Sequence, residues 1–438
     1  MKKILLTISF LAAIGWAGAQ DNIYPAPAQA NPIYIIGGTV HVGNGTVLEK
    51  AIVQIENGKI VRVGKDIPVP KTANVQVVNA DGQHVYPGLI LASTDLGLRE
   101  ISGSVRGTND YRELGDLNPN VRAIAAYNTE SEFINPLRTY GILLANVIPQ
   151  GSLVMGTSSV VQLDAYNFED AAYLADNGMH ISLPSFIQRR GRRGGFGGPS
   201  AGNSNPAEAA QERINVIKKY FNDARSYFTE TVHPNGKNLK LEAARPLFDK
   251  KQKLFVHANE VKQMLVAIDF VKQYGFDVVI VGGTESWQIA DLLKANNIAV
   301  ILNNTHNLPT MEDDDVDQPY KTPAVLQKAG VLFALNDNHV NSRYKNLPFN
   351  AGTAAAYGLS REEALSAITL NAAKILGVQD KTGSIEAGKD ANIVISKGDI
   401  LDMDGNVVTD AFIQGRKIVL ESKQEQLADK YKHKYNVK

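Results

Sequence analysis

The residues able to do chemistry lie just past short apolar runs. His257 follows Leu254-Phe255-Val256, Asp337 follows the run Val331 to Leu335, and Asp95 follows the run Leu89 to Ala92. Imidazole nitrogens and carboxylate oxygens move protons near neutral pH or hold a divalent cation. His306, His339 and Glu285 also come soon after apolar runs, which makes them candidates for substrate contact. Each has a plainer reading. A single histidine at a strand end is often a hydrogen-bonded core residue, Asp95 suits the cap of a turn, and Glu285 suits the start of a helix. The chain has no cysteine. That excludes thiolate ligands, thiol nucleophiles, disulfides and a lipoprotein anchor.

The elements that must position these residues alternate in type. Ile142 to Ile148, Leu254 to His257, Val278 to Val281, Ala299 to Leu302 and Val331 to Leu335 are continuous apolar runs of the kind found in buried parallel strands. Helical stretches lie between them, among them Val261 to Tyr274, Ser286 to Asn296 and Arg361 to Leu376. This repetition predicts a (β/α)8 TIM barrel over 87–382, whose catalytic groups would gather at the C-terminal strand ends. Residues 33–86 and 383–421 instead read as short strands with glycine turns, including an Asn57-Gly58 hairpin, and predict a small β-sandwich domain built from both ends of the chain.

At the other extreme of order, Gln188 to Pro206 is rich in arginine and glycine and reads as a loop, and Glu312 to Asp317 as an acidic loop without EF-hand spacing. Lys2, Lys3, an apolar run from Ile4 to Ile14 and the small triplet Ala17-Gly18-Ala19 form a secretory signal peptide over 1–19. Residues 20–32 then read as an unstructured linker, and 422–438 as a charged tail, either a surface helix or a contact with another copy. The mature protein is expected in a periplasm or outside the cell, without a membrane anchor. A formal net charge of +0 over 438 residues argues against a nucleic-acid partner.

The segment Pro87 to Gly97, PGLILASTDLG, resembles the segment that opens the barrel in the amidohydrolase superfamily, in particular its imidazolonepropionase-like group, where it reads P-G-[LF]-I-D-x-H-x-H-x-G. The resemblance extends along nearly the whole mature chain. Phe255-Val256-His257-Ala258 is similar to the strand bearing a metal-binding histidine, Val279 to Trp287 to the following strand, and Ala334 to Asp337 to the strand bearing the catalytic aspartate. Gly358 to Leu365, Thr369 to Ala373, Leu376-Gly377 and Gly383 to Ala391 follow the C-terminal signature. The resemblance implies that His257 and Asp337 are catalytic. It also puts Ser93, Asp95 and Gly282 at three positions where the family has histidines, and offers His180 but no bridging lysine.

Three readings follow from the resemblance. In the first, the chain hydrolyses a carbon–nitrogen bond of a small molecule, cyclic-amide or dipeptide-like, with Asp95, His257 and Asp337 holding one divalent metal ion (Zn, Mn or Fe) and the metal-bound water attacking. In the second, the chain is a catalytically degenerate binding or scaffold protein without metal. In the third, Asp337 serves as base and His257 as electrophile, with Gly282-Gly283 backbone N–H groups as an oxyanion hole.

Overall fold

The strand-like stretches of both chain ends meet in one sheet. In a computed structural model, residues 23–72, 74–100, 111–187, 205–230, 233, 236–311, 313–337 and 341–437 are described. Residues 1–19, read as a signal peptide, most of the Arg/Gly-rich loop, Glu312 and His339 lie outside the described residues. The first sheet contains β1 (Ile33–His41), β2 (Val47–Glu56), β3 (Lys59–Gly64), β4 (Gln76–Asn79) and β5 (His84–Pro87). The second contains β6 (Leu89–Thr94), β7 (Ile142–Val147), β8 (Val154–Gln162), β9 (Ala172–Ser182), β10 (Lys253–Ala258), β11 (Val278–Gly282), β12 (Ala299–Leu302) and β13 (Phe333–Leu335). The chain then returns to the first sheet with β14 (Ile393–Ser396), β15 (Val408–Ile413) and β16 (Arg416–Lys417).

The order of the first sheet is β16-β15-β14-β5-β1-β2-β3, with β4 beside β1. The link between the chain's ends is the antiparallel pair β5–β14, with Tyr86 opposite Val394. The β2–β3 turn is made by Asn57 and Gly58 at φ 51° and 78°, the left-handed pair that a tight hairpin demands. The unit expected as a sandwich is one continuous hydrogen-bonded sheet. It bends at β1, which pairs with β4 along Ile33–Ile36 and with β5 along Thr39–Val40, with bulges at Gly38 between them. Ile35, Val53, Ile55, Val85, Ile393, Ile395 and Phe412 form its own core.

The barrel strands run in the order β13-β12-β11-β10-β9-β8-β7-β6. Seven of them fit the parallel expectation; β8 is antiparallel to both β7 and β9. No long crossover helix separates β7, β8 and β9, so the chain turns straight back and reverses direction. The seam between β13 and β6 is closed by a side chain. Asn336 donates from Nδ2 to Ser93 O (2.8 Å) and accepts at Oδ1 from Ser93 N (3.1 Å), standing in for a ladder residue. A second stitch comes from a break in the expected Arg361 to Leu376 helix, which is two helices, Arg361–Ala367 and Leu370–Leu376. At the break, Ile368 C=O accepts from Ile90 N–H at 2.9 Å.

The segment expected as a linker is tied down over part of its length. Ala26 is buried; its N–H donates to Asp164 Oδ2 (2.9 Å), and its carbonyl accepts from Arg416 (3.0 Å). Asp164 is itself buried between Arg138 (2.7 Å) and Arg416 (2.9 Å), so its carboxylate is paired on both oxygens. The tail forms a surface helix, Lys423–Tyr435, started by a Ser422/Glu425 capping box. Among the described residues, no helix is long and apolar enough to cross a membrane.

Candidate active site

Period-two alternation aims Phe255 and His257 of β10 to one face, beside His180 of β9, whose register partner is Phe255. His180 has no exposure and stacks on the Phe255 ring at 4.7 Å and 6°. Its Nδ1 lies 3.0 Å from His257 Nε2, while its Nε2 is buried without a partner. Burial holds both rings neutral. It pushes His257 down to about 4, and burial together with the neighbouring His257 places His180 well below the ordinary imidazole range. His257 thus spends Nε2 inside the barrel wall, on another imidazole.

At the end of β6, Asp95 is buried and holds two partners from different parts of the chain. Tyr344 Oη donates to Asp95 Oδ1, and Arg99 Nη2 lies 3.1 Å from Oδ2. Arg99 also stands over the Tyr111 ring at 5.2 Å. Burial and the Asp95 carboxylate push the Tyr344 phenol well above its ordinary range, so it remains a donor. Ser93 uses its backbone to close the barrel, as described above.

The third altered position explains itself sterically. Gly282 closes β11 at φ 109°, and a Cβ there would stand 2.5 Å from Asn259 Oδ1. Any side chain there, histidine included, would displace the Asn259 amide and hold a strained backbone. Asn259 Oδ1 accepts from Thr284 Oγ1 (2.8 Å) and Asn303 Nδ2 (3.4 Å), so a neutral amide network fills the place. Gly283 N–H is used on Ala258 C=O at 2.8 Å, which removes it from the proposed oxyanion hole.

Asp337 is buried just past β13 and accepts from Asn350 Nδ2 at 3.1 Å. Asn350 has no exposure and also accepts at Oδ1 from Thr305 N (2.9 Å), Thr305 Oγ1 (2.9 Å) and His306 N (3.3 Å). It couples Asp337 to the loop after β12. Sequence reasoning missed Asn350; an amide inside the helix Leu347–Ala356 carries no motif. Glu260 was missed too. It sits three residues past His257, is buried, and combines a capping box on the helix Val261–Tyr274 with acceptance from Ser185 Oγ and Phe186 N.

The other candidates are placed as follows. His306 is exposed, its Nε2 2.7 Å from Thr353 Oγ1. Glu285 is buried and accepts from Val261 N at 2.8 Å, satisfying an orphan donor of a helix start. His339 lies outside the described residues. Among the described residues, no three His, Asp or Glu side chains group so as to hold a metal ion. The expected set of Asp95, His257 and Asp337 is therefore not assembled: Asp95 is engaged by Tyr344 and Arg99, His257 by His180, and Asp337 by Asn350.

The architecture is a barrel with polar groups at its C-terminal strand ends, carried beside a small sheet made from both chain ends. Residues 315–418 match the amidohydrolase family model. The chain is 23% identical to the imidazolonepropionase of Thermoplasma volcanium over 82% of this chain and 88% of that relative. It is 24% identical to the imidazolonepropionase of Mesorhizobium japonicum over 80% and 87%. The crystal structure of an amidohydrolase from Thermotoga maritima superposes with a TM-score of 0.75 at 26% identity, covering 88% of this chain and 99% of that one. Together these matches support the amidohydrolase superfamily, and within it the imidazolonepropionase-like group. Members of the family generally use a divalent metal ion. Among the described residues the side chains do not group to fit one: Gly282 has no side chain to offer, and Asp95, His257 and Asp337 are each bonded to neighbours.

Proposed function

We propose that this chain acts on a carbon–nitrogen bond of a small molecule, cyclic-amide or dipeptide-like, at the C-terminal mouth of its barrel, and does so with its own side chains in place of the family's metal centre. The observation that carries the reading is Asp337. A buried carboxylate at the end of β13, steadied by Asn350, stands where barrel enzymes keep a general base. It would take the proton of an attacking water. His257, neutral and partly buried, has Nδ1 left to polarise a substrate carbonyl, since Nε2 faces His180. The charged, apolar and small-residue pattern of residues 1–19 supports work in the periplasm or outside the cell.

A second reading, binding without turnover, is favoured by one observation: Tyr344 and Arg99 lock Asp95 in an internal network rather than presenting it to a ligand. One experiment separates the readings. The purified protein is reloaded with Zn, Mn and Fe(II), its metals are counted by elemental mass spectrometry, and a panel of small amides and dipeptides is assayed beside Asp337→Asn and His257→Gln. The expected result is far less than one metal per chain, and turnover that falls roughly 100-fold or more in Asp337→Asn while the fold is kept. About one metal per chain, lost in both variants, would overturn the metal-free site. Absence of turnover across the panel would leave the binding reading.

A further inference from the structure

Every residue from 423 to 437 is exposed, so the helix Lys423–Tyr435 buries no face against the body of the protein. A helix of 13 residues standing alone is marginal in water. The Ser422/Glu425 capping box starts it but covers none of it. A step of roughly 100° per residue sets its faces. Leu427, Tyr431 and Tyr435, four residues apart, make one stripe, exposed by 43%, 52% and 64%. Lys430 and Lys434 fall beside that stripe. Lys434 Nζ stands 5.1 Å from the centre of the Tyr435 ring and 6.0 Å from that of Tyr431, and the two rings stack at 6.4 Å. Glu425, Asp429 and Lys432 fall on the opposite side, where Lys432 lies 3.4 Å from Asp429. The chain as a whole has a formal net charge of +0, so the charge of the stripe is local: lysines with no acid among them. Lys423, in the first turn, reaches Glu132 at 3.8 Å, a contact between the start of the helix and the body.

Aromatic rings with ammonium groups beside them suit the boundary between water and the acyl chains of an anionic bilayer. Tyrosine sits at headgroup depth, and lysine reaches phosphate while its methylenes lie on apolar surface. A second copy suits the stripe less. Stripe against stripe, in either direction, Lys430 and Lys434 would meet the same lysines of the other copy, with Glu425 and Asp429 turned away. At 13 residues the helix is too short to cross a bilayer, which takes about 20 apolar residues, and would lie on its surface. We infer that this helix is a peripheral docking surface for an anionic lipid bilayer, meeting it through Leu427, Lys430, Tyr431, Lys434 and Tyr435. The inference is independent of the chemistry at the barrel mouth: it concerns where the protein is held, not what it acts on.

The test pellets the purified protein, at low and at high salt, with vesicles of phosphatidylcholine alone or with about a third of the lipid as phosphatidylglycerol. At low salt the bound fraction is at least fivefold larger on the anionic vesicles, and it falls as salt rises. Lys434→Gln and Lys432→Gln remove the same charge from opposite faces at equal helix propensity. The first weakens binding at least threefold, the second less than twofold. Tyr431→Ser combined with Tyr435→Ser weakens it at least threefold. Equal pelleting with both vesicles, equal weakening by the two lysine variants, or no response to the tyrosine pair would each overturn the inference. Should the tyrosine pair melt the helix in circular dichroism, the two lysine variants decide alone. Self-association in sedimentation velocity, abolished by the tyrosine pair and without vesicle binding, would overturn it in favour of a second copy. Binding to heparin that matches vesicle binding and ignores the tyrosines would overturn it in favour of a soluble polyanion.

Discussion

The ends of β6 and β11 both carry other residues where the resemblance places histidines, and they differ in what surrounds those residues. At β6 the replacement is ionic and sealed: Asp95 sits between the Tyr344 hydroxyl and the Arg99 guanidinium. At β11 it is neutral and partly open: Asn259, Thr284 and Asn303 share hydrogen bonds over a glycine, beside a small cavity. The difference follows from what each neighbourhood supplies. Arg99 lies four residues past Asp95, so a carboxylate there has a cation at hand. The loops after β10 and β12 bring amides to Gly282, and the loop after β11 itself a hydroxyl. An altered ligand position is thus a rebuilt hydrogen-bond network rather than a hole, and its polarity is set by the nearest loops.

The largest expected effect comes from forcing the family's residue back into the neutral end. Gly282→His places a Cβ against Asn259 Oδ1 and a side chain at φ 109°, and should cost about 3 kcal/mol or more in chemical unfolding. Adding Asn259→Gly should recover only part, because the backbone strain stays. A smaller loss is expected at the ionic end. Asp95→Ala removes the carboxylate that Tyr344 and Arg99 share, at roughly 2–4 kcal/mol, and Asp95→Asn should return some of it. If Asp95→Ala proved neutral, the sealed network would be decoration and the contrast would fail.

Acid probes the wall between the two ends. His257 is lowered from an unfolded value near 6.5 to about 4 by burial. The folded state therefore binds fewer protons than the unfolded state in that window. Its contribution is complete above about pH 6.5 and is lost as pH falls toward 4, up to roughly 3 kcal/mol. His180 acts in the same direction. Urea midpoints at pH 7, 5.5 and 4.5 should drop progressively, with a shallower drop in His257→Gln. An equally steep drop in that variant would move the acid sensitivity elsewhere.

Much of the fold was legible because it is written locally. Continuous apolar runs gave the barrel strands, the Asn57-Gly58 turn fixed the β2–β3 hairpin, and the segment Gly358 to Ala391 carried the family resemblance. Strand direction is not local: nothing in the periodicity of Val154 to Gln162 says that β8 runs backwards. His257 and Asp337 stood out in the sequence because they follow apolar runs. Their engagement was hidden because the partners are distant: Tyr344 reaches Asp95 across 249 residues, and His180 meets His257 across 77. The crowding at Gly282 was illegible for the same cause, since the nearest atom belongs to Asn259, on another strand's loop.

The pairing of β5 with β14 sets a clock on biosynthesis. Pro87 ends β5 and Ile393 begins β14, so about 300 residues must be made between the two halves of one ladder. At roughly 5–20 residues per second, that takes on the order of 15–60 s, during which the β5 edge has no neighbour on that side. An open edge of this kind invites pairing with any other strand. The growing chain carries this open edge through the whole interval. The simplest protection is for something to hold it unfolded until its last strands exist.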